Sequence, residues 1–282
     1  MTRRFLPLLG VLMSFALLAW PVQAEEETGW NQKFHAQIQT WMNELATRDP
    51  QFKEWQQADT DVQTLGPNQR QWLVSIKKAD KQVGYLVVGE EAETFAQPKF
   101  VLLEYGVGEY ILFDDAFAPR EIAAEPVYDG FASHWLVTRQ SSAQLVNAKT
   151  GEVYPASFTA SEPDFHSLSA QSLVPTGQRL TGTRILQRTQ KDPFDQIGWV
   201  SQLHRDNAIT WPQLWQQEND ASVTLTVPLY HSQVLAPFVV GSLHLWNDQY
   251  AYVGVWDEGL RFVPYTYAYK VGTFHVARQP QS

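Results

Sequence analysis

The sequence predicts an α+β protein made of helix-plus-antiparallel-sheet units, in two domains behind an N-terminal export signal. Three observations carry this. A single apolar stripe at helical spacing opens the chain beyond residue 24. Short alternating apolar segments separated by polar turns fill both halves. Between them, residues 156–192 are rich in Ser, Thr, Gln, Pro and Gly and poor in aromatics. The expected boundaries are 1–24 signal peptide, 25–155 first α+β domain, 156–192 linker and 193–282 second α+β domain.

Arg3 and Arg4 precede an uncharged apolar run, Phe5 to Trp20, and Val22-Gln23-Ala24 then places small residues where a signal peptidase reads. The run is shorter than the roughly 20 residues that a spanning helix needs. Acidic Glu25-Glu26-Glu27 follows at once. Cleavage after Ala24 and a secreted, extracellular location are expected. No later segment has the length and apolarity of a membrane span. Loss of Arg3 and Arg4 with the signal lowers the formal charge from −9 to −11. Such a surface repels nucleic acid and anionic membranes, and no basic run overrides it. The chain has no cysteine, which excludes disulfides, thiolate metal sites, a lipidated N-terminal cysteine and a cysteine nucleophile. With 11 Trp, 11 Tyr and 15 Phe, it carries a heavy aromatic load that suits a core or a stacking surface.

Trp30, Phe34, Ile38, Trp41 and Leu45 form the first helical stripe. Asp49-Pro50 ends that helix, because proline disfavours helical geometry in the residue before it. A short helix with Phe52 and Trp55 follows. Hairpins are expected at Gln71–Ile76 with Val83–Gly89, at Phe100–Tyr105 with Glu109–Phe113, and at Trp135–Arg139 with Ala143–Ala148. In the second half, Asp192-Pro193 opens a helix to about Arg205 that buries Ile197, Val200 and Leu203. A helix over 211–217, strands over 223–229, 238–246, 250–256 and 260–264, and a last strand over 273–277 complete the reading.

Gly84-Tyr85-Leu86-Val87-Val88, Trp135-Leu136-Val137 and the run Val146-Asn147-Ala148-Lys149-Thr150-Gly151-Glu152 resemble strands and a closing turn of PepSY-type and peptidase-propeptide modules. The resemblance spans about residues 30–155. It implies inhibition or chaperoning of a peptidase, or another extracytoplasmic binding role, with no catalytic residues. Val227-Pro228-Leu229-Tyr230-His231-Ser232-Gln233 is similar to the opening strand of bacteriocin-processing cysteine peptidases, and that resemblance covers about residues 223–280. The cysteine which those enzymes require is missing here.

No catalytic constellation stands out. The seven histidines are scattered, and there is no HExxH pair, calcium loop, G-x-S-x-G elbow or glycine-rich phosphate loop. No metal and no cofactor are expected. Ser242 and His244 share a strand face but stand about 6–7 Å apart, too far for a direct proton relay. Adjacent carboxylates such as Glu90-Glu91 and Asp114-Asp115 point to opposite faces or sit in turns.

The hairpin 238–256 has two unlike faces. One carries Leu243, Leu245, Ala251, Val253 and Val255. The other carries Ser242, His244, Trp246, Tyr250, Tyr252 and Trp256, with Gly254 between. The second face reads either as a core surface packed under helices bearing Trp199, Trp211 and Trp215, or as an open aromatic platform for a glycan or peptide. The leading functional expectation is a non-catalytic extracytoplasmic binding or peptidase-inhibitory module, partnered by a secreted peptidase or a cell-wall component. The alternative is a secreted hydrolase or wall-glycan-binding protein that uses this aromatic face.

Overall fold

The structure is a computed structural model that describes residues 22–66, 70–91, 98–120, 124–139, 142–160, 172–195, 197–202, 209–219 and 221–276. The apolar run Phe5 to Trp20, expected as a signal segment, and Leu203 lie outside these. The first helix, α1 (Val22–Arg48), runs across the expected cleavage junction and buries Phe34, Ile38, Trp41, Met42 and Leu45. It stops where Asp49 adopts extended geometry. Asp49 then caps a 3₁₀ turn, Pro50–Trp55, by accepting the Gln51 N–H at 2.9 Å.

Strands follow in quick succession: β1 (Asp59–Thr64), β2 (Gln71–Lys78), β3 (Lys81–Glu91) and β4 (Lys99–Val107). Ala79 and Asp80 join β2 to β3 with φ of 48° and 62°, a two-residue turn tighter than the six-residue one expected. A separate small sheet is made by β5 (Ala124–Val127), β6 (His134–Arg139) and β7 (Ser142–Asn147). Then come β8 (Val174–Pro175), β9 (Leu180–Ile185), a 3₁₀ turn at Ile197–Gln202 and α2 (Trp211–Trp215). The chain finishes with β10 (Val223–Leu229), β11 (Val234–Trp246), β12 (Tyr250–Trp256), β13 (Leu260–Pro264), α3 (Tyr265–Val271) and β14 (Thr273–Val276).

Eleven strands form one antiparallel sheet, in the order β1-β2-β3-β4-β13-β12-β11-β10-β14, with β8 also on β4 and β9 also on β11. Among the described residues, strand outnumbers helix about two to one, 44% against 22%, so the sheet rather than the helices organises the molecule. Strand β13 pairs with β4 at Leu260–Val107, Arg261–Gly106 and Phe262–Tyr105. The sheet is therefore unbroken across the expected domain boundary. The expected linker at 156–192 supplies both β8 and β9 to it. Strand β11 is long enough to serve two partners on one edge, β10 at 234–239 and β9 at 242–246. The change of partner falls at Gly241, whose carbonyl accepts from the N–H groups of Leu186 and Gln187.

Both faces of this sheet are covered. On one, α1 and the Pro50–Trp55 turn pack over Val74, Ile76, Leu86, Val88, Leu102, Tyr105, Tyr252 and Phe262. On the other, the small sheet and α3 pack over Leu73, Tyr85, Val87, Leu243, Val253, Val255 and Val263. Burial on both faces explains why β3 and β4 are nearly continuous apolar runs.

Two expected elements differ. Residues 109–113 form no strand, because β4 runs on through Gly106 and Val107 to meet β13. Ile111, Leu112 and Phe113 are buried all the same. The helix expected over 193–205 is, where described, the short 3₁₀ turn. Ile197 and Val200 are 60% and 46% exposed rather than core. Among the described residues, no helix is long and apolar enough to cross a membrane.

Candidate functional site

The aromatic face of the β11–β12 hairpin is not an open platform. Ser242, His244, Trp246 and Tyr252 have no solvent exposure, and Tyr250 and Trp256 are half-buried beside them. The cover is the end of α1 and the turn after it, with Phe52 on His244 and Phe262, not the segments bearing Trp199, Trp211 and Trp215. Trp211 and Trp215 instead pack on each other, and Trp211 also packs on Tyr265. Gly254 leaves room for the ring of Phe262, which a Cβ there would meet at 2.6 Å, and not for a ligand. The Ser242 hydroxyl donates to the Arg184 carbonyl at 2.9 Å and has no part in a relay with His244.

The polar members of this face are ordered by one another. The Trp246 indole N–H donates to the Tyr105 oxygen at 3.1 Å, and Tyr105 lies 2.8 Å from His244 Nδ1. Tyr105 thus gives its own proton to Nδ1. The other ring nitrogen, Nε2, must carry the proton that Asp49 Oδ2 accepts at 2.8 Å. Burial lowers the His244 pKa, only partly offset by Asp49, so the ring is neutral near pH 7. Burial alone would raise Asp49, but its bonds to His244 and to the Gln51 amide outweigh that and hold the carboxyl below its ordinary value. Neither cavity described below reaches this chain of groups. It fastens the α1 end to the sheet.

The accessible chemistry lies on the opposite side of the sheet. A cavity of about 440 Å³ opens between the β10–β11 hairpin, the turn after β7 and the turn at 130–133. Its floor is an ion cluster. Arg261 holds Glu104 through two bonds, Nε–Oε1 at 2.7 Å and Nη2–Oε2 at 3.1 Å, and Nη1 reaches Asp257 Oδ2 at 2.9 Å. The Glu104 oxygens also accept from Tyr85 at 2.5 Å and Tyr128 at 3.0 Å. Lys149 Nζ bonds the Asp257 carbonyl and lies 3.9 Å from its carboxylate. Two cations thus meet two anions, and the cluster is neutral overall.

Its electrostatics follow from that pairing. Burial lowers the Lys149 pKa, offset in part by Asp257. Burial would raise Asp257, but Lys149 and Arg261 hold it below the ordinary carboxylate value. Glu104, Tyr85 and Asp257 together overcome the burial penalty on Arg261 and raise it well above its usual value.

Local sequence aims these groups. Asn147 Oδ1 accepts the N–H groups of Lys149 and Thr150 at 2.8 and 3.0 Å, an Asx turn. With Gly151 at φ 70°, this turn leaves Lys149 only 5% exposed. Two stacked pairs line the walls: Phe131 on Phe238, with centroids 4.8 Å apart, and Tyr154 on Phe158, at 5.8 Å. The turn at residues 149–152 was legible in the sequence, as the close of the third hairpin unit, but Glu104 and Arg261 were missed. The available signal was one charge of each sign, each alone inside an apolar strand. Such residues are almost never fully buried unless paired.

A second, smaller cavity of about 170 Å³ lies next door and shares Leu229 with the first. Tyr230, His231 and Ser232 bound it, with φ of 50°, 55° and 64°. Three successive left-handed non-glycine residues each carry a strain of about 1–2 kcal/mol. The turn drives the Tyr230 ring inward against Tyr154, 4.7 Å between centroids, and toward His134 at 6.3 Å. Among the described residues, no group of three or more His, Asp or Glu could hold a metal ion. No family model, curated protein or solved structure matches the chain.

Proposed function

We propose that this is an exported, non-catalytic binding protein whose ligand occupies the 440 Å³ cavity, with residues 1–24 as its removable export signal. The observation that carries the reading is the cavity's composition. Its floor is an ion cluster whose members already satisfy one another, and its walls are stacked aromatic pairs. Fixed, mutually neutralised groups present hydrogen bonds in a set geometry without reorganising, which favours recognition. Aromatic faces stack on sugar rings or on peptide side chains. Ser133, Asn147, Thr150 and Glu152 add hydrogen-bonding groups to the same lining.

Cell-wall glycan fragments and extended peptides are the ligand chemistries that this lining suits. A peptidase segment held there is the inhibitory form of the reading, in keeping with the PepSY-like resemblance at 30–155.

Ala236 lines the cavity from β11 and is half-buried, so Ala236→Trp adds bulk to its wall while replacing no member of the ion cluster. Calorimetric titration of the purified protein with soluble wall fragments and with a peptide library tests the reading. Binding by the parent and its loss in Ala236→Trp is the expected result. Equal binding by both, or none by the parent, overturns it.

A further inference from the structure

His134 is 3% exposed, and its Nδ1 lies 2.8 Å from the Ala132 carbonyl. A carbonyl only accepts, so Nδ1 carries the proton. The lone pair is left on Nε2, which is buried and has no hydrogen-bond partner. A buried acceptor without a donor calls for an explanation, and in a cavity wall it leaves room for a donor from outside the chain. His134 lines the smaller cavity, together with Asp129, Tyr230, Tyr267 and aliphatic Val227 and Val271. No lysine or arginine is part of that lining.

We propose that the smaller cavity is a binding site for the ammonium head of a primary alkylamine. An ammonium offers three donors and no acceptor, which matches the unpaired His134 acceptor in a cavity that Asp129 also lines. Tyrosine faces attract a cation, and the aliphatic wall takes the carbon chain. A cavity of about 170 Å³ holds five or six heavy atoms at the ~30 Å³ that one water occupies in the liquid. Burial holds the His134 pKa below its ordinary value, which keeps the lone pair available at neutral pH. The left-handed turn Tyr230-His231-Ser232 supplies the wall. Strain retained in a native structure is commonly found where a site needs a fixed shape. The site is separate from the larger cavity, because His134 is not part of that lining.

The test is a titration of the purified chain with n-butylammonium chloride. n-Butanol and sodium butyrate serve as uncharged and anionic isosteres, and the His134 imidazole ¹⁵N resonances are followed by NMR. Butylammonium is expected to shift Nε2 to saturation and to bind at least tenfold more tightly than either isostere. His134→Ala is expected to weaken it at least tenfold, while His134→Gln, which keeps an acceptor oxygen, retains most of the affinity. Butanol binding as well as butylammonium, an unmoved Nε2 resonance, or unchanged affinity in a natively folded His134→Ala each overturns the proposal. The isostere comparison on the parent chain stands even if His134→Ala does not fold. Ala236→Trp leaves this test intact, so failure here and failure of the larger-cavity reading are separable.

Discussion

Asp49 and His244 stand 195 positions apart in the chain and meet at 2.8 Å with almost no solvent on either side chain. The contact joins the end of the first helix to the middle of the sheet. His244→Ala leaves a buried carboxylate without its main donor. The expected loss is about 3–5 kcal/mol, read as a shift in the midpoint of urea unfolding. Asp49→Asn, which keeps a hydrogen-bonding group there, should cost clearly less.

Acid should destabilise the protein in two stages. Burial holds His134, His244 and His275 below the ordinary imidazole pKa. The unfolded chain therefore takes up protons that the folded state refuses as pH falls through about 6.5. Stability is full above that value and declines below it. Asp49 and Asp257 are held below the ordinary carboxylate value, so they withdraw further stability as pH falls below about 4. Thermal melts between pH 3 and 8 check this, and a melting temperature that rises from pH 7 to pH 5 contradicts it.

Arg261 cannot be replaced by lysine without loss. Its planar fork bonds both oxygens of buried Glu104 while a third nitrogen reaches Asp257, and an ammonium cannot span that geometry. Arg261→Ala should cost about 3–5 kcal/mol because it strands Glu104, and Arg261→Lys should recover only part. A double-mutant cycle with Glu104→Gln measures the coupling, which is expected to exceed 1 kcal/mol.

Gly254→Ala tests what the missing side chain on β12 is for. Its Cβ would come within 2.6 Å of the fully buried Phe262 ring. A cost of about 1–3 kcal/mol is expected from overpacking, with ligand binding in the cavity on the far side of the sheet unaffected. A neutral substitution would mean that the ring has room to move.

The turn at 230–232 makes the opposite prediction. His231 is solvent-exposed with φ 55°. His231→Gly removes the left-handed penalty and should raise stability by up to about 1 kcal/mol, the rest being offset by glycine's greater freedom in the unfolded chain. Chemical denaturation measures it.

Local structure was legible in the sequence where one periodicity acts alone. The stripe from Trp30 to Leu45 and the alternation on β2, β11 and β12 each predicted their element, because burial of one face imposes a fixed spacing. Alternation also separated the two faces of the β11–β12 hairpin. It could not say what covers the aromatic face, because the covering residues, Asp49 and Phe52, lie almost two hundred positions away. The helix expected at 193–205 failed for a related reason. Ile197 and Val200 have helical spacing but face solvent, and spacing alone does not bury a residue. The larger cavity was the least legible feature, since its ion cluster draws on Glu104, Lys149, Asp257 and Arg261 from distant parts of the chain. Only the isolation of Glu104 and Arg261 within apolar strands pointed toward it.

The junction of β4 with β13 has a consequence for how the chain reaches its native state. The central pair, Glu104 and Arg261, is separated by 157 residues, so the middle of the sheet cannot close until nearly the whole polypeptide is available. Pairings this distant incur the loop-closure entropy before any contact repays it, which slows folding. While β13 is missing, the inner edge of β4 stays open as a template for other strands. A protein built this way spends its earliest moments needing protection from its neighbours, whether it emerges from a ribosome or from an export channel.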